Sequence, residues 1–202
     1  MEKQDIIKQK MLKSKTEYLC KKERWSGIIN YHNITCPDQN NGDGLRVVLW
    51  LSGCNHHCKG CQNPQTWDKN SGIKFDENAV EELLVDLNFD YISGITLTGG
   101  DPLNENNVIE VLNFLNKITV LFPQKTVWIY TGYTWEEIIN PTIEDKSSVA
   151  RKEILKYCDV LVDGRYIEEQ RDITLKWRGS KNQRVIDVQK SLQTNSVVLH
   201  CD

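Results

Sequence analysis

The chain has 202 residues, of which 39% are hydrophobic and 26% are charged, and its formal net charge is −3. These values are typical of a globular protein and exclude a strongly basic nucleic-acid-binding protein, and no apolar stretch approaches the length of a membrane helix. The charge is uneven, because residues 1–25 carry eight basic and four acidic side chains. We predict a basic N-terminal extension over residues 1–27, either an appendage or a contact arm, followed by one domain over residues 28–202.

The N-terminus lacks the apolar segment of a secretory signal, and the chain has seven cysteines. An odd number of cysteines suits metal-bound and free thiols in a reducing compartment better than a disulfide framework. We therefore expect a cytoplasmic protein.

After the extension, apolar strand patterns alternate with amphipathic helix patterns. In chain order these are a loop at 37–44, a strand at 45–51, a cysteine-rich loop, a helix at 80–87 capped by Asp76, a strand at 94–97, a helix at 108–118, a strand at 126–130, a short helix opened by the capping box Thr134 to Glu137, a helix at 147–158, a strand at 159–162 and two weaker strands at 184–188 and 197–200. This alternation favours an α/β fold with a parallel sheet.

Each of the first four predicted strands ends in a polar or glycine-bearing loop. The four are the cysteine loop, the loop Gly99-Gly100-Asp101, the loop Thr131-Gly132-Tyr133 and the loop Asp163-Gly164-Arg165. The C-terminal ends of parallel strands form the reactive face of such sheets. We predict that the four loops surround one pocket.

The cysteine loop contains Cys54, Cys58 and Cys61 within eight residues, and three interpretations are open. A zinc ion could take His56 or His57 as its fourth ligand, although structural zinc sites usually draw on two separated ligand pairs. A closed iron–sulfur cluster would need a fourth thiolate, which Cys36, Cys158 or Cys201 could supply. A cluster held by three cysteines would keep one iron open for a small molecule.

The loop at Gly99, Gly100 and Asp101 favours the third interpretation. Two glycines at a strand end allow the backbone to approach a ligand closely, and Asp101 is an acceptor suited to an ammonium or hydroxyl group.

The order of these motifs resembles the radical S-adenosylmethionine superfamily and, more closely, the activating proteins of anaerobic (class III) ribonucleoside-triphosphate reductase. The blocks that carry the resemblance are LSGCNHHCKGCQN (51–63), TW (66–67), LTGGDPL (97–103), WIYTGY (128–133), DVLVDGR (159–165) and RGSKNQ (178–183), which together cover about residues 28–192. The resemblance implies an incomplete parallel (β/α) barrel. It gives no role for the last block, which is either a surface for the reductase or a cap on the pocket.

The resemblance also implies a cofactor site. In it Cys54, Cys58 and Cys61 hold a [4Fe–4S] cluster, and the open iron chelates S-adenosylmethionine. The implied contacts of S-adenosylmethionine are Gly60, Cys61 and Gln62 along the nucleoside, and Gly99, Gly100 and Asp101 at the methionyl ammonium. The superfamily usually has an aromatic residue at the position of Gly60, and the closer family commonly has tyrosine at that of Gln62, so the residue that packs on the adenine stays open.

The implied activity is that of an oxidoreductase that forms a glycyl radical on the reductase. The implied partners are the glycyl-radical subunit of the reductase and a low-potential electron donor such as flavodoxin. This chemistry needs no catalytic acid or base, and we assign none. The alternatives are an activase for another glycyl-radical enzyme of the pyruvate formate-lyase type and a zinc-binding interaction module.

Overall fold

The computed structural model describes residues 29–201, so the predicted extension over residues 1–27 lies outside the described residues. The described part contains eight strands, which are β1 (Asn30–Asp38), β2 (Leu45–Leu51), β3 (Ile73–Lys74), β4 (Ile92–Gly99), β5 (Thr126–Tyr130), β6 (Val160–Asp163), β7 (Arg184–Asp187) and β8 (Leu199–Cys201). Its α-helices are α1 (Glu77–Leu87), α2 (Val108–Leu121), α3 (Trp135–Ile139), α4 (Lys146–Ile154) and α5 (Val188–Thr194). No helix within residues 29–201 is both long enough and apolar enough to cross a membrane.

All eight strands form one mixed sheet in the order β3-β1-β2-β4-β5-β6-β7-β8. The neighbours β2, β4, β5 and β6 are parallel, whereas β1 and β3 on one side and β7 and β8 on the other are antiparallel. The predicted α/β class is confirmed, but the predicted parallel arrangement is limited to the four central strands. Helices connect those four strands, as parallel neighbours require, whereas a short loop joins β1 to β2.

The sequence patterns located most elements correctly. Strands β2 and β5 have the predicted bounds. The Asp76 side chain caps α1 by accepting hydrogen bonds from the backbone N–H groups of Asn78 and Ala79. The capping box of Thr134 and Glu137 opens α3 as predicted. Strand β1 was not predicted, because its sequence NYHNITCPD lacks an alternating apolar pattern.

The two faces of the sheet have different coverings. The side chains of Val47, Leu49 and Leu51 belong to the larger apolar cluster, together with the buried apolar residues of all five described helices. The opposite face carries a second cluster, formed by Trp128, Val160, Val162 and Val185 with Trp177 packed against it. We call this second side the inner face. No helix of residues 29–201 contributes to its cluster.

A buried arginine ties the beginnings of the parallel strands together on the inner face. Arg46 donates hydrogen bonds to Thr96 Oγ1 at 2.7 Å and to the carbonyl oxygens of Ile95 and Thr126 at 2.7 and 2.8 Å. Its guanidinium carbon lies 5.4 Å from the centre of the Trp128 ring. Burial lowers the pKa of Arg46 to about 10, so the side chain stays charged at neutral pH. These contacts hold the parallel strands together near the edge of the sheet that lies opposite the four predicted loops.

Candidate cofactor site

The C-terminal ends of the four parallel strands meet around a cavity of about 150 Å³, which we call the cysteine cavity. Its lining includes residues of all four predicted loops, namely Cys54, His56, Cys58 and Cys61, then Gly99, Gly100 and Asp101, then Thr131 and Gly132, and finally Gly164. The prediction that these loops surround one pocket is therefore confirmed. The geometry follows from the parallel strands, which bring their C-terminal loops to the same edge of the sheet.

The cysteine loop is held at its beginning by the chain that follows it. The backbone N–H groups of Gly53 and Cys54 donate to the carbonyl oxygens of Thr66 and Trp67 at 2.7 and 3.0 Å. These bonds close the loop at its base, so the intervening cysteines project from a short segment fixed at both ends.

Gly60 precedes the third cysteine and has a backbone φ of 75°, in the left-handed region. A Cβ atom at this position would lie 2.0 Å from Oε2 of Glu168. The backbone conformation therefore favours glycine, whereas the Glu168 carboxylate is the end of a flexible side chain that can turn away from a Cβ atom. Gly60 itself lines neither the cysteine cavity nor the larger cavity described below.

Backbone N–H groups surround the three cysteine sulfurs. The bonded groups are those of His56 and His57 at Cys54, Tyr166 at Cys58, and Asn63 at Cys61, the last at 3.4 Å. Such bonds favour the thiolate. Burial, and after it the nearby Asp101 carboxylate, raise the pKa of the Cys54 thiol to about 11, and burial raises the pKa of Cys58.

The cysteines fit a multi-iron cluster better than a single zinc ion. A zinc ion needs ligand atoms that converge on one point. Within residues 29–201, no group of three or more histidine, cysteine, aspartate or glutamate side chains is arranged to hold one metal ion. In a [4Fe–4S] cube each cysteine binds a different iron, so the sulfurs do not have to converge. Cys36, Cys158 and Cys201, the candidates for a fourth thiolate, line neither cavity.

Asp101 joins three loops through its buried carboxylate. Its Oδ1 accepts from the backbone N–H of Leu103 at 2.8 Å. Its Oδ2 accepts from the backbone N–H of Gly132 at 3.0 Å and lies 2.7 Å from Nε2 of His56. The Thr131 hydroxyl donates to both oxygens at 2.9 and 3.0 Å. The sequence suggested an acceptor for a ligand, whereas the structure shows a carboxylate that already accepts from four protein groups.

Gly99 and Gly100 allow two strand ends to approach closely. Gly99 has a φ of 97°, and a Cβ atom there would lie 2.7 Å from the carbonyl oxygen of Leu51. A Cβ atom on Gly100 would lie 2.6 Å from the carbonyl oxygen of Gly53. The backbone N–H groups of Gly100 and Asp101 donate to these same two oxygens at 2.7 and 2.8 Å. The two glycines thus allow the loop Gly99-Gly100-Asp101 to pack against the base of the cysteine loop. The sequence alone did not indicate this role.

His56 connects the cysteine loop to a wider network. Its side chain is 8% exposed, and its ring packs edge-on against Tyr133 at 4.8 Å between ring centres. The Arg151 guanidinium lies 4.3 Å from the centre of the Tyr133 ring and donates to the Tyr133 hydroxyl at 3.0 Å. Arg151 also donates to the carbonyl oxygen of Leu103 at 2.8 Å. Sequence reasoning missed this network, because no local pattern links a histidine in one loop to residues 45 or more positions away.

A larger cavity of about 360 Å³ adjoins the cysteine cavity on the inner face, and we call it the inner-face cavity. Five residues line both cavities, namely Cys58, Cys61, Tyr130, Tyr166 and Gln183. Its further lining includes Gln62, Asn63, Trp50, Trp177 and Arg178. Of the predicted nucleoside contacts, Gln62 and Cys61 therefore face this space. The two cavities together extend from the glycine loop, past the cysteines, to the inner face.

Asp163, at the end of β6, serves a structural role. Its buried carboxylate accepts from the backbone N–H of Trp135 at 2.8 Å and forms an ion pair with Arg184. Arg184 also pairs with Glu136 at 2.8 Å. Hydrogen bonding from Arg184 lowers the pKa of Glu136. This cluster fixes the fourth loop beside the cavity.

Comparison with known proteins gives consistent matches. A family model described as a 4Fe-4S single cluster domain matches residues 40–186. The anaerobic ribonucleoside-triphosphate reductase-activating protein of Enterobacteria phage T4 is 43% identical over 157 residues, which cover 78% of this chain and 93% of that protein. Proteins of the same name from Vibrio cholerae and Pasteurella multocida are 41% and 40% identical over 157 residues, which cover 77% of this chain and 96% and 95% of theirs.

Proposed function

This chain belongs to the family of anaerobic ribonucleoside-triphosphate reductase-activating proteins, and we propose that it activates such a reductase by reductive cleavage of S-adenosylmethionine. When bound, a [4Fe–4S] cluster would supply the electron for this cleavage, and the resulting 5′-deoxyadenosyl radical would take a hydrogen atom from a glycine of the reductase. We assign the cluster to Cys54, Cys58 and Cys61.

One observation carries the proposal, which is that the three cysteines and the loop Gly99-Gly100-Asp101 line the same cavity. The cysteines are free of disulfides and partly exposed. A cluster held by three thiolates keeps one position for substrate, and the glycine loop lies beside it. This combination supports a small-molecule site more directly than it supports a closed electron-transfer cluster.

The polar groups of the cavity would orient S-adenosylmethionine. We assign the methionyl ammonium to Gly99, Gly100 and Asp101. Protein donors already hold the Asp101 carboxylate in place. It would therefore offer the methionyl ammonium a negative charge at a fixed position, rather than an acceptor that moves to meet the ligand. We assign the nucleoside to the segment Gly60, Cys61 and Gln62, of which the last two line the inner-face cavity.

We propose further that the sheet is an incomplete barrel of the radical S-adenosylmethionine type. Within residues 29–201, the helices pack on one face of the sheet only, and the inner-face cavity lies on the other. Four parallel central strands with loops at one edge support this assignment. A low-potential donor such as flavodoxin would supply the electron, and we propose the cytoplasm as the location.

The proposal is tested by anaerobic reconstitution with iron and sulfide, followed by a dithionite-driven assay for 5′-deoxyadenosine. We expect acid-labile sulfide and product from the wild type, and loss of both from Cys58→Ala. Cys36→Ala is the matched control, because its thiol lines neither cavity. Stoichiometric zinc without sulfide would instead support a zinc-binding module. Recovery of a different glycyl-radical enzyme from anaerobic cells would support an activase of the pyruvate formate-lyase type.

A further inference from the structure

Two aromatic residues within residues 29–201 line both the cysteine cavity and the inner-face cavity, namely Tyr130 and Tyr166. The proposed function places the methionyl end of S-adenosylmethionine at the glycine loop and its nucleoside along Cys61 and Gln62. The base would therefore lie where the two cavities adjoin. Proteins commonly bind the flat face of a base by stacking it on an aromatic ring, so these two rings are the candidates for that contact.

The two rings differ in how they are used by the fold. Tyr130 is at the C-terminal end of β5 and packs against the apolar cluster of the inner face. Tyr166 lies in the loop after β6 and belongs to neither apolar cluster of the described residues. It is half-buried, so part of its surface is accessible beside the cavities. Tyr166 is therefore the ring that packing in the core leaves available to a ligand.

Tyr166 is held in place at both ends. Its backbone N–H bonds the sulfur of Cys58, one of the three predicted cluster ligands. Its hydroxyl donates to Oε2 of Glu168 at 2.7 Å. A side chain that is already fixed loses little conformational freedom when a ligand binds, which favours affinity. The ring is thus a preformed surface whose position is tied to the cysteine loop.

Glycines lie against the Tyr166 ring from two different segments. A Cβ atom on Gly60, in the cysteine loop, would lie 3.3 Å from Cε1 of the ring. A Cβ atom on Gly179, in the block at 178–183, would lie 3.1 Å from Cδ2, the ring atom opposite Cε1. Neither neighbour carries a side chain that would cover the ring. The block at 178–183 therefore contributes to this part of the site by its backbone.

We propose that the adenine of S-adenosylmethionine stacks on the ring of Tyr166, which makes Tyr166 the residue that positions the base. This inference rests on the proposed function, because it assumes that S-adenosylmethionine occupies the two cavities. Stacking uses the face of a base and not its hydrogen-bonding edge. The ring would therefore fix where the base lies relative to the cysteines, without selecting adenine over another base.

The test measures the Kd values of three ligands on the anaerobically reconstituted protein. S-adenosylmethionine carries both ends, 5′-deoxyadenosine carries only the base and its ribose, and methionine carries only the amino-acid end. Tyr166→Leu is expected to raise the Kd of the first two about tenfold and to leave that of methionine within twofold. Tenfold corresponds to about 1.4 kcal/mol, at the lower end of base–aromatic stacking, because leucine keeps an apolar contact.

Two variants serve as controls. Tyr166→Phe keeps the ring and removes the hydroxyl, and it is expected to leave all three Kd values within threefold of wild type. Tyr91→Leu makes the same exchange at an exposed tyrosine that lines neither cavity, and it is expected to change no Kd by more than twofold. Iron and sulfide content is expected to match wild type in both Tyr166 variants, because the backbone N–H at Cys58 is retained.

Unchanged affinity of Tyr166→Leu for S-adenosylmethionine and 5′-deoxyadenosine would overturn the inference. So would an equal rise in the methionine Kd or a loss of iron and sulfide, because the ring would then hold the cysteine loop and not the base. An equal loss of affinity in Tyr166→Phe would also overturn it, since the hydroxyl would then be responsible. A wild-type protein that holds a cluster but neither binds nor cleaves S-adenosylmethionine would refute the proposed function, and that result is distinct from the others.

Discussion

Replacing Asp101 by asparagine keeps the shape of the side chain but exchanges one acceptor oxygen for a donor. Oδ1 accepts from the backbone N–H of Leu103, and Oδ2 accepts from that of Gly132. Whichever way the amide is turned, its NH₂ group therefore faces a backbone N–H and leaves that group without the oxygen that it bonds in the wild type. His56 and the Thr131 hydroxyl lose a charged partner at the same time.

The cost follows from these contacts. One buried backbone donor without a partner costs about 1–3 kcal/mol, and replacing charge-assisted bonds by neutral ones removes roughly 1 kcal/mol more. We expect a total loss of about 3 kcal/mol in the free energy of unfolding. For a domain of this size, that loss corresponds to a fall in Tm of roughly 6–12 °C.

The assay is urea unfolding followed by circular dichroism under anaerobic conditions, with the m-value compared between variants. Asp68→Asn is the control, because Asp68 is exposed and accepts only local turn hydrogen bonds such as that from Asn70. It is expected to cost less than about 0.5 kcal/mol. A loss below 1 kcal/mol for Asp101→Asn would refute the view that this carboxylate holds the three loops together.

Three further predictions test the surroundings of the site. Gly60→Ala is expected to lower the free energy of unfolding by about 1–2 kcal/mol, since Gly60 has a φ of 75° that alanine adopts only under strain, and iron and sulfide content after reconstitution would show whether the cysteine loop is displaced. Arg46→Met is expected to cost about 2–4 kcal/mol in urea unfolding, because it removes the buried hydrogen bonds from the guanidinium to Thr96, Ile95 and Thr126, and a cost below 1 kcal/mol would contradict this. Hydrogen bonding from Arg184 lowers the pKa of Glu136 in the folded state. The ion pair therefore stabilises the folded protein fully at pH values above the pKa that Glu136 has in the unfolded chain. This stabilisation is lost as the pH falls through the pKa of Glu136 in the folded protein. Unfolding at pH 7 and at about pH 3 should therefore show a cost for Glu136→Gln only at the higher pH, of a few tenths of a kcal/mol because Glu136 is mostly exposed.

The sequence predicted those features that depend on local pattern. Strands β2 and β5 were located by their apolar runs, and the start of α3 by its capping box. Convergence of the four loops followed from a rule of parallel sheets that needs no side-chain detail. Strand β1 was missed because its pairing with β2, rather than its own composition, makes it a strand.

The roles of individual site residues were harder to predict from the sequence. The contact between His56 and Asp101 joins residues 45 positions apart and depends on how two loops pack. Gly99 and Gly100 matched a ligand-binding pattern, yet in the structure they pack against backbone. The block that begins at Arg178 was noticed, but the close approach of its Gly179 to the Tyr166 ring becomes visible only in the folded protein.

The tip of the cysteine loop is exposed at Lys59 and Gly60, and the Lys59 side chain is 80% accessible. Little protein therefore separates the cysteines from the surface. Electrons tunnel between proteins at rates that fall steeply with the thickness of the intervening medium, so a donor would need only to touch this tip, without a relay of side chains. The same thin cover offers dioxygen an equally short route, and the fold itself provides no barrier against it at this position.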